Sequence, residues 1–223
     1  MEVYSADGAR EMCGNGVACV AKYVVDHGLV EANVTNQVLI ETDAGPREVK
    51  VQRTANKSVI SASVNMGKPY LKKKEIPFAD GSDGNDVAIG VPLKFDGYTF
   101  EITCVSMGDP HAIVKLDQVF DLNDFEVSRW GPKFEKHYWF PQRINTSFIC
   151  VKSRKEIDMR AWERGSGEAM ASGSGACAAV VASVLNEWTE REVTVHVEGG
   201  DLRVKWDQET DLVWITGPVT EVY

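Results

Sequence analysis

Two short stretches set a nucleophile-type side chain at the start of a glycine turn: Cys13-Gly14-Asn15-Gly16 and, far downstream, Ser172-Gly173-Ser174-Gly175. Each leads into an apolar run, Val17-Ala18-Cys19-Val20-Ala21 in the first and Ala176-Cys177-Ala178-Ala179-Val180 in the second, so each reads as a turn that opens a helix. Such a turn exposes unpaired backbone N–H groups at the positive end of the helix dipole, which suits a carboxylate or a phosphate. The same donors would favour a thiolate at Cys13. One glycine turn of this kind is a common structural device. Duplication, with a thiol or a hydroxyl in the equivalent place, is what predicts that Gly14, Asn15, Gly173 and Ser174 converge on one anionic group.

Other chemistries find less support. Neither turn is a G-x-x-x-x-G-K-[ST] phosphate loop or a G-x-G-x-x-G unit within a parallel βαβ pattern, so nucleotide binding is disfavoured. His27, His111, His137 and His196 are scattered without metal-ligand spacing, which reads as surface or structural histidine and no metal site. Five cysteines, an odd number with no C-x-x-C pair, predict free thiols in a reducing compartment, most of them small buried hydrophobes. With 24 basic against 33 acidic residues the net charge is −9, and no basic run breaks that balance, so nucleic acid and anionic membrane are excluded as partners. No apolar stretch reaches the roughly 18 residues of a membrane helix. The opening MEVYSADGAREMCGNG has neither basic leader nor apolar centre, and a cytoplasmic location is expected.

The elements that must position the two turns can be read from periodicity. Val17, Val20, Ala21, Val24 and Val25 recur at helical spacing, and His27-Gly28 supplies a last turn and a stop, predicting a helix over 16–27. From Ala176 to Leu185 only Ser183 is polar, which suits a helix buried on nearly all sides. Each helix is followed by alternating residues around a glycine turn: Val38–Gly45 with Glu48–Val51, and Val193–Gly200 with Arg203–Trp206. These are β-hairpins. Turn, helix and hairpin thus occur twice, at a separation far beyond solenoid periods, which implies two similar domains. Further strands are predicted over Ser58–Val64, Tyr98–Ser106, Ala112–Leu116, Ser147–Val151, Asp158–Trp162 and Leu212–Thr216. Lys72–Asp86 reads as an exposed mixed-charge connection.

Three strings, Ala6-Asp7-Gly8 to Glu11-Met12-Cys13-Gly14-Asn15-Gly16, Ser106-Met107-Gly108-Asp109-Pro110-His111, and Trp162-Glu163-Arg164-Gly165-Ser166-Gly167-Glu168 to Gly173-Ser174-Gly175-Ala176-Cys177-Ala178, resemble the diaminopimelate epimerase family in content, order and spacing. The resemblance runs end to end. It implies an α+β fold of two pseudo-symmetric domains, each a curled antiparallel sheet around a central helix, with the active-site cleft between them. The first would span 1–66, completed by 215–223, and the second 67–214. It also implies interconversion of LL- and meso-diaminopimelate, a small amino-acid substrate, with no cofactor. One cysteine on each face of the α-carbon would remove or return the proton. Cys13 and Ser172 stand at the catalytic positions. Ser5, Gly14, Asn15, Asp109, Asn145, Glu163, Arg164, Gly173 and Ser174 stand at substrate-binding ones, with Arg164 suited to the distal carboxylate and Glu163 to the substrate ammonium.

The chain departs from the family pattern in places. Ser172 replaces the second cysteine, and a serine hydroxyl is far less acidic than a thiol of reference pKa about 8.5. Ser5 and Asp109 replace asparagines, and Ala18 an arginine. These departures leave open a divergent relative that binds, isomerises or dehydrates another carboxylate-bearing acid with Cys13 alone. The family's opening strand and Gly-Asn-Asp-Phe motif are absent and the end is short, so an unpaired sheet edge is expected, to be covered by further chain or by a partner such as the second copy of a homodimer.

Overall fold

The computed structural model describes residues 1–4, 12–30, 36–116 and 121–222. The two expected helices have equal length. Helix α1, Gly14–Asp26, buries Val17, Ala21 and Val25 and ends at His27, after which Gly28 takes φ +66°. Helix α3, Gly173–Leu185, is buried from Gly175 through Ser183, as its apolar composition requires. Both start earlier than periodicity alone suggests. The glycines after Cys13 and Ser172 are helical because those two side chains cap the first turn.

The strands are β1 (Gln37–Ile40), β2 (Arg47–Arg53), β3 (Val59–Gly67), β4 (Val91–Phe95), β5 (Tyr98–Ser106), β6 (Pro110–Lys115), β7 (Asn145–Ser153), β8 (Glu156–Glu163), β9 (Gly167–Ala169), β10 (Glu192–Val197), β11 (Gly200–Trp206) and β12 (Val213–Pro218). Helix α2, Val127–Glu135, precedes β7. Their hydrogen-bonded order is β1-β2-β3-β12-β11-β10-β8-β7-β6-β5-β4, with β9 paired to β8 alone. Strand β12 joins the copies, because it pairs with β3 on one side and β11 on the other. Most ladders are antiparallel; β6–β7 and β8–β10 are parallel.

Around α1, β1–β3 contribute Val38, Ile40, Val49, Val51, Val59 and Val64 to the core, and Val193, Val195, Val204, Val213 and Ile215 do the same beside α3. A second cluster, rich in aromatics, gathers Trp130, Phe134, Phe140 and Phe148 around α2. That cluster changes the reading of Lys72–Asp86. Ile76 and Phe78 enter it, and Lys73 follows them to 6% exposure, where its Nζ lies 2.8 Å from Asp80 and donates to Ser82 Oγ at 2.5 Å. Apolar anchors inside a charged stretch override its mean polarity. Of the cysteines, Cys104, Cys150 and Cys177 are buried as expected, whereas Cys19 is exposed, because its position on α1 turns away from the buried Val17, Ala21 and Val25. No described helix is long and apolar enough to cross a membrane.

Candidate active site

Cys13 is the N-cap of α1 and Ser172 the N-cap of α3, in nearly the same conformation: φ −118°, ψ 107° and φ −132°, ψ 110°. Each side chain accepts from the amide three residues on, Gly16 N–H to Cys13 Sγ and Gly175 N–H to Ser172 Oγ, both at 3.3 Å. The next amide closes the first turn in both copies, Val17 to the Cys13 carbonyl and Ala176 to the Ser172 carbonyl at 2.9 Å. That leaves the N–H groups of Gly14 and Asn15, and of Gly173 and Ser174, without a protein acceptor among the described residues. Four orphan donors at two helix N-termini make an anion site.

The turns meet. A Cβ at Gly173 would lie 3.2 Å from Asn15 Oδ1, and Ile215 of β12 is within 4 Å of such an atom at Gly14 and at Gly173 alike. Glycine at 173 lets the helix ends approach, whereas glycine at 14 leaves room for Met66 Sδ, which a Cβ there would meet at 2.7 Å. Between them lies a cleft of about 210 Å³ lined by Met12, Cys13, Gly14, Asn15, Asp109, Asn145, Glu163, Arg164, Ser166, Ala171, Ser172, Gly173 and Ser174. Ten of the eleven residues singled out from sequence line it; the eleventh, Ser5, lies outside the described residues. Cys13 is partly exposed in this cleft and Ser172 is buried.

The far wall is built on the β8–β9 turn. Arg164 Nη2 lies 2.6 Å from Asp109 Oδ1, both a quarter exposed, and the Arg164 amide donates to Asn145 Oδ1 at 2.9 Å. Asn145 therefore orients the turn, and the Arg164 guanidinium already holds one carboxylate. Together with Glu163, the wall presents two carboxylates and one guanidinium, a pattern that can read a zwitterionic group.

Sequence reasoning passed over Met12, Ser166 and Ala171, which line the cleft, and of its surface-or-structural reading of His111 the buried alternative is the one found. The His111 imidazole is 1% exposed, and neither ring nitrogen has a hydrogen-bond partner among the described residues. It sits two residues past Asp109 and beside Asn145 in the β6–β7 register. Burial, and secondarily the positive charge of Arg164, push its pKa down to about 3. Its place in the Gly108-Asp109-Pro110-His111 string was the available signal. A larger groove of about 870 Å³ runs along Tyr98, Phe100, Phe125 and Trp130, but neither the α1 nor the α3 N-terminus nor any thiol lines it.

A family model described as "Diaminopimelate epimerase" matches residues 1–72 and 103–222. A diaminopimelate epimerase of Agathobacter rectalis is 45% identical over 228 residues, covering 100% of this chain and 78% of that relative. One from Acetivibrio thermocellus is 41% identical over 224 residues, covering 100% and 76%. Among solved structures, a hydroxyproline epimerase from Agrobacterium vitis with bound trans-4-hydroxy-L-proline superposes with TM-score 0.71 at 11% identity, over 97% of this chain and 66% of that one, a likeness of fold.

Proposed function

The chain belongs to the diaminopimelate epimerase family, and from that premise we propose that its cleft binds diaminopimelate and moves the α-proton with Cys13 as the competent base and Ser172 as an impaired partner. The observation that carries this reading is the pair of equivalent caps, Cys13 and Ser172, lining one cleft with four helix N-terminal amides that have no protein acceptor among the described residues. The substrate α-carboxylate docks on the Gly14, Asn15, Gly173 and Ser174 amides. There the dipoles stabilise the negative charge that grows on the carboxylate as the α-proton leaves. Cys13 Sγ removes the proton from one face of the α-carbon, giving a planar carbanion. Inversion then requires a proton from the opposite face, where Ser172 offers a hydroxyl of poorly matched acidity. Proton removal and return on the Cys13 side is therefore fast relative to inversion.

Glu163 takes the α-ammonium. At the distal end the Asp109–Arg164 pair opens, Arg164 receiving the distal carboxylate and Asp109 the distal ammonium. Formation of meso-diaminopimelate from the LL isomer, followed by chiral chromatography, tests the assignment in the chain and in its Ser172→Cys variant, with calorimetric titration of each by diaminopimelate. Binding with slow inversion that the variant accelerates supports it. Absence of diaminopimelate binding in both would sink it. The serine favours one second reading, a one-base isomerase of another small acid, in which Ser172→Cys brings no gain in inversion.

A further inference from the structure

Glu135, the last residue of α2, is 4% exposed and does not line the cleft. Its Oε1 accepts from Arg143 Nη1 at 3.1 Å and from the Gly165 amide at 3.2 Å, and its Oε2 accepts from Trp162 Nε1 at 2.7 Å. Two of these donors flank Glu163 and Arg164 in sequence. Within the turn, Ser166 N–H donates to the Glu163 carbonyl at 3.2 Å, and Gly165 takes φ +78°, a left-handed conformation held in place by the bond to Glu135. Trp162 is pressed onto α2 as well: a Cβ at Gly131 would fall 2.3 Å from its indole ring. The carboxylate thus fastens the turn from below at both ends, while Asn145 fastens it from the side through the Arg164 amide.

We infer that Glu135 is a positioning residue, which fixes the Glu163–Ser166 turn and so presents Glu163 and Arg164 to the ligand without touching it. The inference rests on the reading of those two side chains as ligand groups. A carboxylate suits this place because all three partners are donors and an ionised carboxylate is acceptor only. A glutamine of the same size would turn an NH₂ toward either Gly165 N–H or Trp162 Nε1–H, donor against donor. The bond lost there loosens the turn while the aromatic cluster beneath α2 stays packed.

Hydrogen–deuterium exchange by mass spectrometry on the whole chain and its Glu135→Gln variant, paired with calorimetric titration by diaminopimelate, tests this. The variant should exchange the amides of 163–166 about tenfold faster with the rest of the protein unchanged, and bind diaminopimelate about tenfold more weakly, as loss of one charge-assisted hydrogen bond predicts. A purely structural role would instead speed exchange across α2 and β7–β8 together and lower the melting temperature without singling out the turn. Unchanged exchange in 163–166, or equal ligand affinity, would overturn the inference. Should Glu135→Gln fail to fold, Trp162→Phe keeps the packing and removes one donor, and it should show the same local change at smaller amplitude. If the parent chain does not bind diaminopimelate, the functional reading fails, while the exchange measurement, which uses no ligand, still decides whether Glu135 fixes the turn.

Discussion

The two helix N-termini form a natural comparison within one chain. Both helices span 13 residues, both are capped by the side chain before their first glycine, and both caps accept from the amide three residues on at the same distance. They differ in surroundings and in the capping atom. Helix α1 is amphipathic, and its cap Cys13 is partly exposed; α3 is buried through most of its length, and its cap Ser172 is 4% exposed. The backbone N–H donates to sulfur or oxygen alike, so the proposed anion site would survive a change that the proposed proton chemistry would not. On the proposed reading, fold and ligand cradle depend on the cap as an acceptor, whereas inversion depends on its acidity.

The largest expected effects break that comparison at the caps. Ser172→Cys should raise inversion of diaminopimelate by roughly 10²–10⁴-fold, the worth of a positioned acid or base, and Cys13→Ala should reduce α-proton removal by a similar factor. Equal losses of proton removal in Cys13→Ala and Ser172→Ala would make the two halves chemically equivalent. At the far wall, Arg164→Ala should raise the half-saturating diaminopimelate concentration by about 10- to 100-fold, the range for a lost hydrogen bond to a charged group, with little change in maximal rate. A fall in maximal rate alone would place Arg164 in proton transfer.

Stability should show the opposite asymmetry. Serine is a preferred N-cap, so Ser172→Ala should cost about 0.5–2 kcal/mol in urea unfolding. Cys13→Ala, at a more exposed helix start with a weaker sulfur acceptor, should cost less. A larger loss at Cys13 would contradict the view that the buried helix relies more on its cap. A further effect concerns pH. With the His111 imidazole held near 3 by burial, and unfolded histidine near 6.5, the unfolded chain binds the extra proton first. The stability that the neutral ring allows is complete above 6.5 and is lost as pH falls toward 3. Unfolding midpoints should therefore drop between pH 7 and 5, where carboxylates stay ionised, and His111→Asn should flatten that drop. An unchanged slope in the variant would assign it to other groups.

What the sequence made legible followed from strong local signals. The duplicated glycine turns, the apolar helices and the alternating hairpins are set by period and by residues of narrow use, and they placed Cys13, Asn15, Ser172 and Ser174 together before any tertiary information. Helix α2 was not legible, because Gly131 and Pro132 interrupt its nine residues and it has no side-chain cap; packing of Trp130 and Phe134 holds it. Strand β9 has three residues and exists through its ladder with β8. The burial of Lys73 depends on Asp80 and Ser82, and the burial of Glu135 on Trp162, Arg143 and Gly165, pairings that only the tertiary fold brings together.

Asymmetry between the half-sites is tested most directly by α-deuterium incorporation from D₂O, followed by mass spectrometry at early times with LL- and with meso-diaminopimelate supplied separately. The stereoisomer whose α-hydrogen faces Cys13 should gain deuterium with retained configuration, faster than it inverts, while the other exchanges slowly. In Ser172→Cys the two should exchange at comparable rates with inversion. Equal exchange of both isomers in the chain bearing Ser172 would show that the hydroxyl serves as well as a thiol, and would contradict the account.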